Sequence, residues 1–310
     1  MTEDNNKQGI TQKIQLKPDK KKAGKHKKLL AVLRVLMGLS LVTAAVFAFF
    51  YLKSSREYAT GNSVYEDLRS IQRLSNESQQ GDPSAGTTPE TQPGTSAGDA
   101  AEVQSAQQSS GQPGSSGNAA EIAASSMNFE PFKEINSDIV AWLFAEGRSI
   151  DLPVVQGTDN YYYLHHLFNK EANKLGTLFV DYQNKEDFSD RNTVIFGHNM
   201  NDGSMFSVLE NYRDQTYYES FPEMDLYTPS GDYTIELFAG VVTSGDYKFI
   251  RLNFQDDTDF MSYIITMRIL STFESPVEIN ANDRIVTLST CVYDYENARY
   301  VLFGKLVPKQ

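Results

Sequence analysis

The chain has 310 residues, a formal net charge of −12 and a single cysteine, Cys291. One cysteine excludes an internal disulfide and any zinc site built from several thiolates. The acidic balance argues against a general nucleic-acid binder, which would carry a basic face, and the length suits one substantial globular domain plus extra segments.

The charge is unevenly spread. Residues 1–29 carry nine Lys against Glu3, Asp4 and Asp19, a local +6 that leaves −18 on the remainder. This head, residues 1–28, runs into "LLAVLRVLMGLSLVTAAVFAFFYL", Leu29 to Leu52. At ~1.5 Å per residue the segment can cross a ~30 Å hydrocarbon layer as a helix. Its one charge, Arg34, can snorkel to the headgroups, and Phe49, Phe50 and Tyr51 suit the far interface. A cleaved signal peptide would have a shorter apolar part ending in small residues, so the segment reads as a retained single-pass anchor. The lysine cluster "KKKAGKHKK" places the N-terminus in the cytoplasm and everything after residue 52 outside.

Residues 53–123 read as an extracytoplasmic stalk and linker. "VYEDLRSIQRL" has apolar residues at roughly helical spacing and fits a helical extension. The stretch from Gly81 to Glu121, rich in Ser, Gly, Pro, Gln and Thr, cannot offset its chain entropy by burial and is expected to be a disordered tether.

The folded domain is expected over 124–310. "NFEPFKEINSDIVAWLFA" reads as a helix or two around Trp142. Short β-like runs follow: "KLGTLFVDY", "NTVIFGHN", "MDLYTPSGDYTIELFAGVVTS", "RIVTLSTC" and "RYVLFGKLV", with "TPSGD" and "TSGD" as turns. "SMFSVLENYRDQTYYESFP" and "DTDFMSYIITMRILST" read as helices. The pattern predicts a mostly β fold, a closed or nearly closed antiparallel barrel with N-terminal helices and helical inserts.

Two of these runs carry the chemistry. Ile285–Cys291 and Tyr300–Val307 are β-patterned and separated by "VYDYENA" and Arg299. Paired as an antiparallel hairpin, they bring Cys291 and Arg299 to one end of the sheet. A neighbouring guanidinium favours a thiolate and can donate to a developing oxyanion, whereas a structural cysteine needs neither. A nucleophilic thiol also needs an imidazole. His26 falls in the cytoplasmic head, and His165 and His166 read as a surface or partly buried pair. His198 follows the run "NTVIFG" at a strand exit beside a glycine, well placed to project into a cleft. The acidic residues form no clear ligand loop, so no metal and no cofactor are expected.

"TLSTC" at a strand end, an arginine on the next strand and an upstream "FGHN" resemble a sortase. "PVVQGTDNYYYLHHLF", "GTLFVDYQN", "VIFGHNM" and the helical insert before the cysteine strand resemble class B, over nearly all of residues 127–308. The resemblance implies a sortase-type barrel and a cysteine transpeptidase on the outer face of a Gram-positive membrane. Its partners would be secreted proteins bearing a C-terminal Asn-Pro-x-Thr-type signal and an amine of the cell-wall peptide. It further implies that Cys291 attacks the Thr carbonyl to form a thioacyl-enzyme. His198 would then exchange protons with the leaving and incoming amines, and Arg299 would orient substrate and stabilise the oxyanion. Ser289, Asn160 and Leu164 would line the substrate groove, with core packing an equal reading for Leu164. A thiol–imidazole pair of this kind predicts a two-limbed pH–rate profile.

Three rivals bear on the function. An L,D-transpeptidase would place His and Gly before the cysteine, where this chain has Ser289 and Thr290, and a papain-like hydrolase would reverse the order of Cys and His. A non-catalytic surface-binding domain would be indifferent to loss of Cys291. Wall anchoring and pilus polymerisation are not separated by the sequence.

Overall fold

A computed structural model of the chain describes residues 20–79, 125–147, 150–246 and 250–309. The expected disordered tether, residues 81–121, lies outside the described residues. The chain divides into two units, Met1–Arg56 and Glu57–Gln310. Helix α1 covers Lys20–Gln79. Within it lies the one segment among the described residues that is long and apolar enough to cross a membrane, with a mean hydropathy of 2.2 and no buried residue in its most apolar window.

The second unit contains α2 (Glu130–Ile135), β1 (Ile139–Phe144), β2 (Asp151–Val155), β3 (Leu178–Val180) and β4 (Asn192–Phe196). After these come α3 (Gln215–Ser220), β5 (Glu223–Thr228), β6 (Gly231–Ser244), α4 (Asp257–Ile269), β7 (Ile285–Cys291) and β8 (Ala298–Pro308). Short 3₁₀ turns occupy Tyr162–Leu164 and Ser207–Arg213. The strands close into a barrel in the order β1-β2-β3-β4-β7-β8-β6-β5. Closure removes the sheet edges that would otherwise template aggregation.

The closed barrel is the one expected, with one difference: β2 pairs parallel to β3, and β4 parallel to β7. Parallel neighbours need a crossover connection, and both pairs have one. The second crossover is long, carrying α3, the β5–β6 hairpin and α4 between β4 and β7. The segment around Trp142 is also corrected, since it is strand β1 and not helix. Residues Ile139–Leu143 are all buried, so neither an alternating nor a 3.6-residue pattern shows in the sequence. The indole is 0% exposed, packs against Phe132 of α2 at a ring-centroid distance of 5.1 Å, and its Nε1–H donates to Asp151 at 2.7 Å.

α4 follows the expected spacing. Phe260, Tyr263, Ile264 and Met267 form its buried face and join Phe238, Val241, Val301 and Phe303 in a cluster beside β6 and β8. Asp256 caps its N-terminus, accepting from the Asp259 N–H at 2.8 Å.

The part of α1 after Arg56 belongs to the packed unit. Tyr65 and Leu68 are 2% and 3% exposed and join the main core, with Tyr58, Val64 and Ile71 packed against it. Arg69 donates to the Asp151 carbonyl at 3.0 Å. Tyr65 donates its hydroxyl proton to the Gly176 carbonyl and lies 3.1 Å from the Thr177 hydroxyl. Gly61 lets the helix approach closely, because a Cβ there would come within 2.8 Å of Leu175. The Tyr65 and Gly61 contacts hold residues 175–177, and Gly176 lies against the backbone carbonyl of Leu164, a residue that lines the site.

Candidate active site

The site lies where β4 and β7 end together. Their parallel register pairs Phe196 with Ser289. The ladder continues past β4, as Gly197 N–H donates to the Ser289 carbonyl at 3.1 Å and Thr290 donates its hydroxyl to the Gly197 carbonyl at 2.8 Å. His198 and Cys291 therefore each stand two residues beyond paired positions, at one rim. Gly197 has no room for a side chain there; a Cβ would fall 2.4 Å from Leu178 and 2.6 Å from the Phe206 ring.

β7 and β8 form the antiparallel hairpin expected from the sequence, and Cys291 is directly opposite Arg299. Both are half-buried. Arg299 Nη1 donates to the Ala298 carbonyl at 3.0 Å. Gly245 backs the guanidinium, where a Cβ would sit 3.3 Å from its Cζ.

His198 Nε2 lies 2.7 Å from the Leu164 carbonyl. A carbonyl only accepts, so Nε2 carries a proton and Nδ1 is the ring position that exchanges one. Gly176 underlies this contact. It has φ +61°, and a Cβ there would lie 2.5 Å from the Tyr163 carbonyl oxygen and 2.8 Å from that of Leu164.

One cavity of about 280 Å³ is lined by Cys291, His198, Arg299, Ser289, Asn160 and Leu164, all six residues singled out from the sequence. Ser289 is 1% exposed, and its hydroxyl has no hydrogen-bond partner among the described residues. Asn160 is held in place, donating to Asp181 at 2.9 Å and accepting from the Tyr182 N–H at 3.0 Å. Sequence reasoning missed Phe179, Phe196, Gly245, Ile250 and Thr290, which together with Gly197 complete the lining. Thr290 and Gly245 belong to motifs visible in the sequence, but only the fold brings them to the cavity. His165 is exposed as expected, yet its ring centroid lies 6.5 Å from that of His198. His166 instead stacks on Tyr162 at 3.9 Å.

Behind the cavity, Arg213 binds Asp294 of the β7–β8 connection through two bonds of 2.9 and 2.6 Å. This bidentate contact holds the Asp294 carboxyl below the usual carboxylate range and raises Arg213.

A strand-end thiol facing a guanidinium, with an imidazole at the same barrel rim, offers a nucleophile, an oxyanion donor and a proton carrier of the kind acyl transfer needs. The chain matches the family described as "Sortase domain" over residues 144–307. It is 41% identical to the sortase B of Listeria monocytogenes over 179 residues, 57% of this chain and 73% of that protein. It is 34% identical to the sortase B of Staphylococcus aureus over 181 residues, 58% of this chain and 74% of that one. Superposition on a crystal structure of Staphylococcus aureus sortase B gives a TM-score of 0.56 at 33% identity, covering 59% of this chain and 87% of that one. The chain belongs to the sortase family, whose members are cysteine transpeptidases, and its likeness is to class B.

Proposed function

We propose that this sortase cleaves a C-terminal Asn-Pro-x-Thr-type sorting signal after the Thr and transfers the protein to an amine of a cell-wall peptide. Cys291 Sγ, its proton passed to His198, attacks the Thr carbonyl carbon and forms the new C–S bond. The tetrahedral oxyanion that forms is stabilised by Arg299, which is positioned opposite the nucleophile. The C–N bond then breaks as His198 gives its proton to the leaving amine. In the second half-reaction an incoming amine attacks the thioacyl carbon, His198 takes its proton, and the Cys291 thiolate departs. Asn160, Leu164 and Ser289 line the groove for the signal. The observation that carries this reading is the shared cavity of the six residues. It is supported by solved structures of sortase B as a substrate complex, from Staphylococcus aureus, and in complex with triglycine.

Residues 29–52 anchor the enzyme in the membrane with the lysine-rich residues 1–28 in the cytoplasm and the catalytic unit outside. Residues 53–123 serve as stalk and tether to the domain 124–310, with the helical part of the stalk packed on it. Tethering enzyme and substrate at one membrane raises their effective concentration.

The test is a quenched fluorogenic Asn-Pro-x-Thr peptide with and without a triglycine acceptor. The chain is expected to cleave the peptide, ligate the acceptor and form a thioacyl adduct visible by mass spectrometry, and Cys291→Ala abolishes all three. Binding without cleavage, unchanged in Cys291→Ala, would overturn the proposal in favour of a non-catalytic binding domain.

A further inference from the structure

Cys291 is the last residue of β7, and its carbonyl points toward the β4 side. In the parallel ladder the Ser289 carbonyl takes the Gly197 N–H. Two residues on, the matching acceptor is the Cys291 carbonyl, and β4 has already ended. The side chain of Asn199 supplies the missing rung, since its Nδ2 donates to the Cys291 carbonyl at 2.9 Å. The other Nδ2 hydrogen goes to Glu210 Oε2 at 2.8 Å. Glu210 Oε1 accepts from Arg213 at 3.1 Å, and Arg213 grips Asp294, three residues beyond the nucleophile. The Arg213 guanidinium also lies 5.4 Å over the ring of Tyr300, next to Arg299 in β8.

The contacts form a closed brace. It leaves the backbone of Cys291, passes through the residue after His198 and the 3₁₀ turn Ser207–Arg213, and returns to the connection that separates Cys291 from Arg299. None of its side chains lines the cavity.

We propose that Asn199, Glu210, Arg213 and Asp294 are positioning residues that lock the spacing of Cys291 and His198 and hold the β7–β8 connection, with Asn199 as the joint. They touch no reacting atom, so they act on the rate of the chemical step and not on the groove. This inference rests on the transpeptidase reading only for its kinetic arm.

The experiment uses the full chain and the variants Asn199→Ala, Asn199→Asp, Arg213→Ala and the double Asn199→Ala/Arg213→Ala. Asn199→Asp keeps the shape but cannot donate. Cleavage of the fluorogenic peptide and alkylation of Cys291 by iodoacetamide are measured, with circular dichroism melts alongside. Small displacements of catalytic groups lower rates by up to ~100-fold, so Asn199→Ala and Asn199→Asp are expected to lower kcat roughly 10- to 100-fold. KM should stay within about two-fold, the pattern of a lost transition-state interaction. Alkylation should slow in the same order. The double variant should be no worse than Asn199→Ala, because both changes break one brace. Unchanged kcat in both Asn199 variants, multiplying losses in the double variant, or losses matched by a fall in folded fraction would each overturn it. A wild-type chain that cleaves no sorting peptide would sink the transpeptidase reading, and alkylation would still decide this one.

Discussion

Gly176→Ala is the substitution whose effect the structure specifies most fully. The residue sits at φ +61°, where an L side chain is disfavoured by about 1–2 kcal/mol. The added Cβ would also lie 2.5 Å from one backbone oxygen and 2.8 Å from another. Those atoms belong to Tyr163 and Leu164, in a segment pinned by Asn136, which donates to the Tyr163 hydroxyl at 2.9 Å and the Phe168 carbonyl at 2.8 Å. They cannot rotate away as a flexible side chain would, so overpacking adds about 1–3 kcal/mol. The sum is roughly 2–5 kcal/mol against a typical total of about 5–15. With a urea m-value of about 2 kcal/mol/M this shifts the midpoint by roughly 1–2.5 M. Relief must come from moving the Leu164 carbonyl, the partner of His198 Nε2, so peptide cleavage should fall further than the loss of folded protein explains. Gly203→Ala is the control. It has φ +83° and nothing within 4 Å, so only the backbone preference of about 1–2 kcal/mol applies. If the two variants unfold at the same urea concentration, or Gly176→Ala retains full activity, the account of this segment is wrong.

Two further outcomes follow from single side chains. Ser289→Ala removes a buried hydroxyl that has no partner among the described residues, so thermal stability should hold or rise. KM for the sorting peptide should increase roughly 2- to 10-fold, the worth of one neutral hydrogen bond, and a Tm lower by several degrees would show that the hydroxyl is structural. Asp259 is held down to about 2 by its hydrogen bonds to the Arg251 guanidinium. Its ordinary value is about 3.9, so the ionised form is favoured by folding, and its contribution is complete above pH ~4 and fades as pH falls toward 2. The stability gap between the wild type and Asp259→Asn in urea titrations should therefore close over that window, and a gap that stays constant down to pH 2 would refute the pairing.

The hairpin that carries Cys291 and Arg299 was legible because both runs are short, β-branched or aromatic, and joined by one local turn whose length sets the register. His198 was legible for a related reason, as a polar residue just past a strand, beside glycine. The parallel contact of β4 with β7 was hidden, because its partners are separated by a crossover of many elements and nothing local encodes their meeting. Trp142 misled because burial on both faces of β1 erases the alternation that marks a strand. Helical spacing around Tyr65 was visible, but the carbonyl of Gly176 that receives its hydroxyl was not. The Asn199 brace was equally invisible, since each of its bonds joins residues that look like ordinary polar surface when taken singly.

The shared exit of β4 and β7 has an evolutionary corollary. Because both strands run in the same direction and leave the barrel at one rim, their ladder and the Asn199 rung that extends it bring imidazole and sulfur level. Beyond the 3₁₀ turn Ser207–Arg213 that carries the brace, the excursion between them, with its hairpin and α4, can lengthen, shrink or exchange its decoration without disturbing that alignment. Lineages built on this scaffold are thus free to reshape what they recognise while the reactive pair stays put.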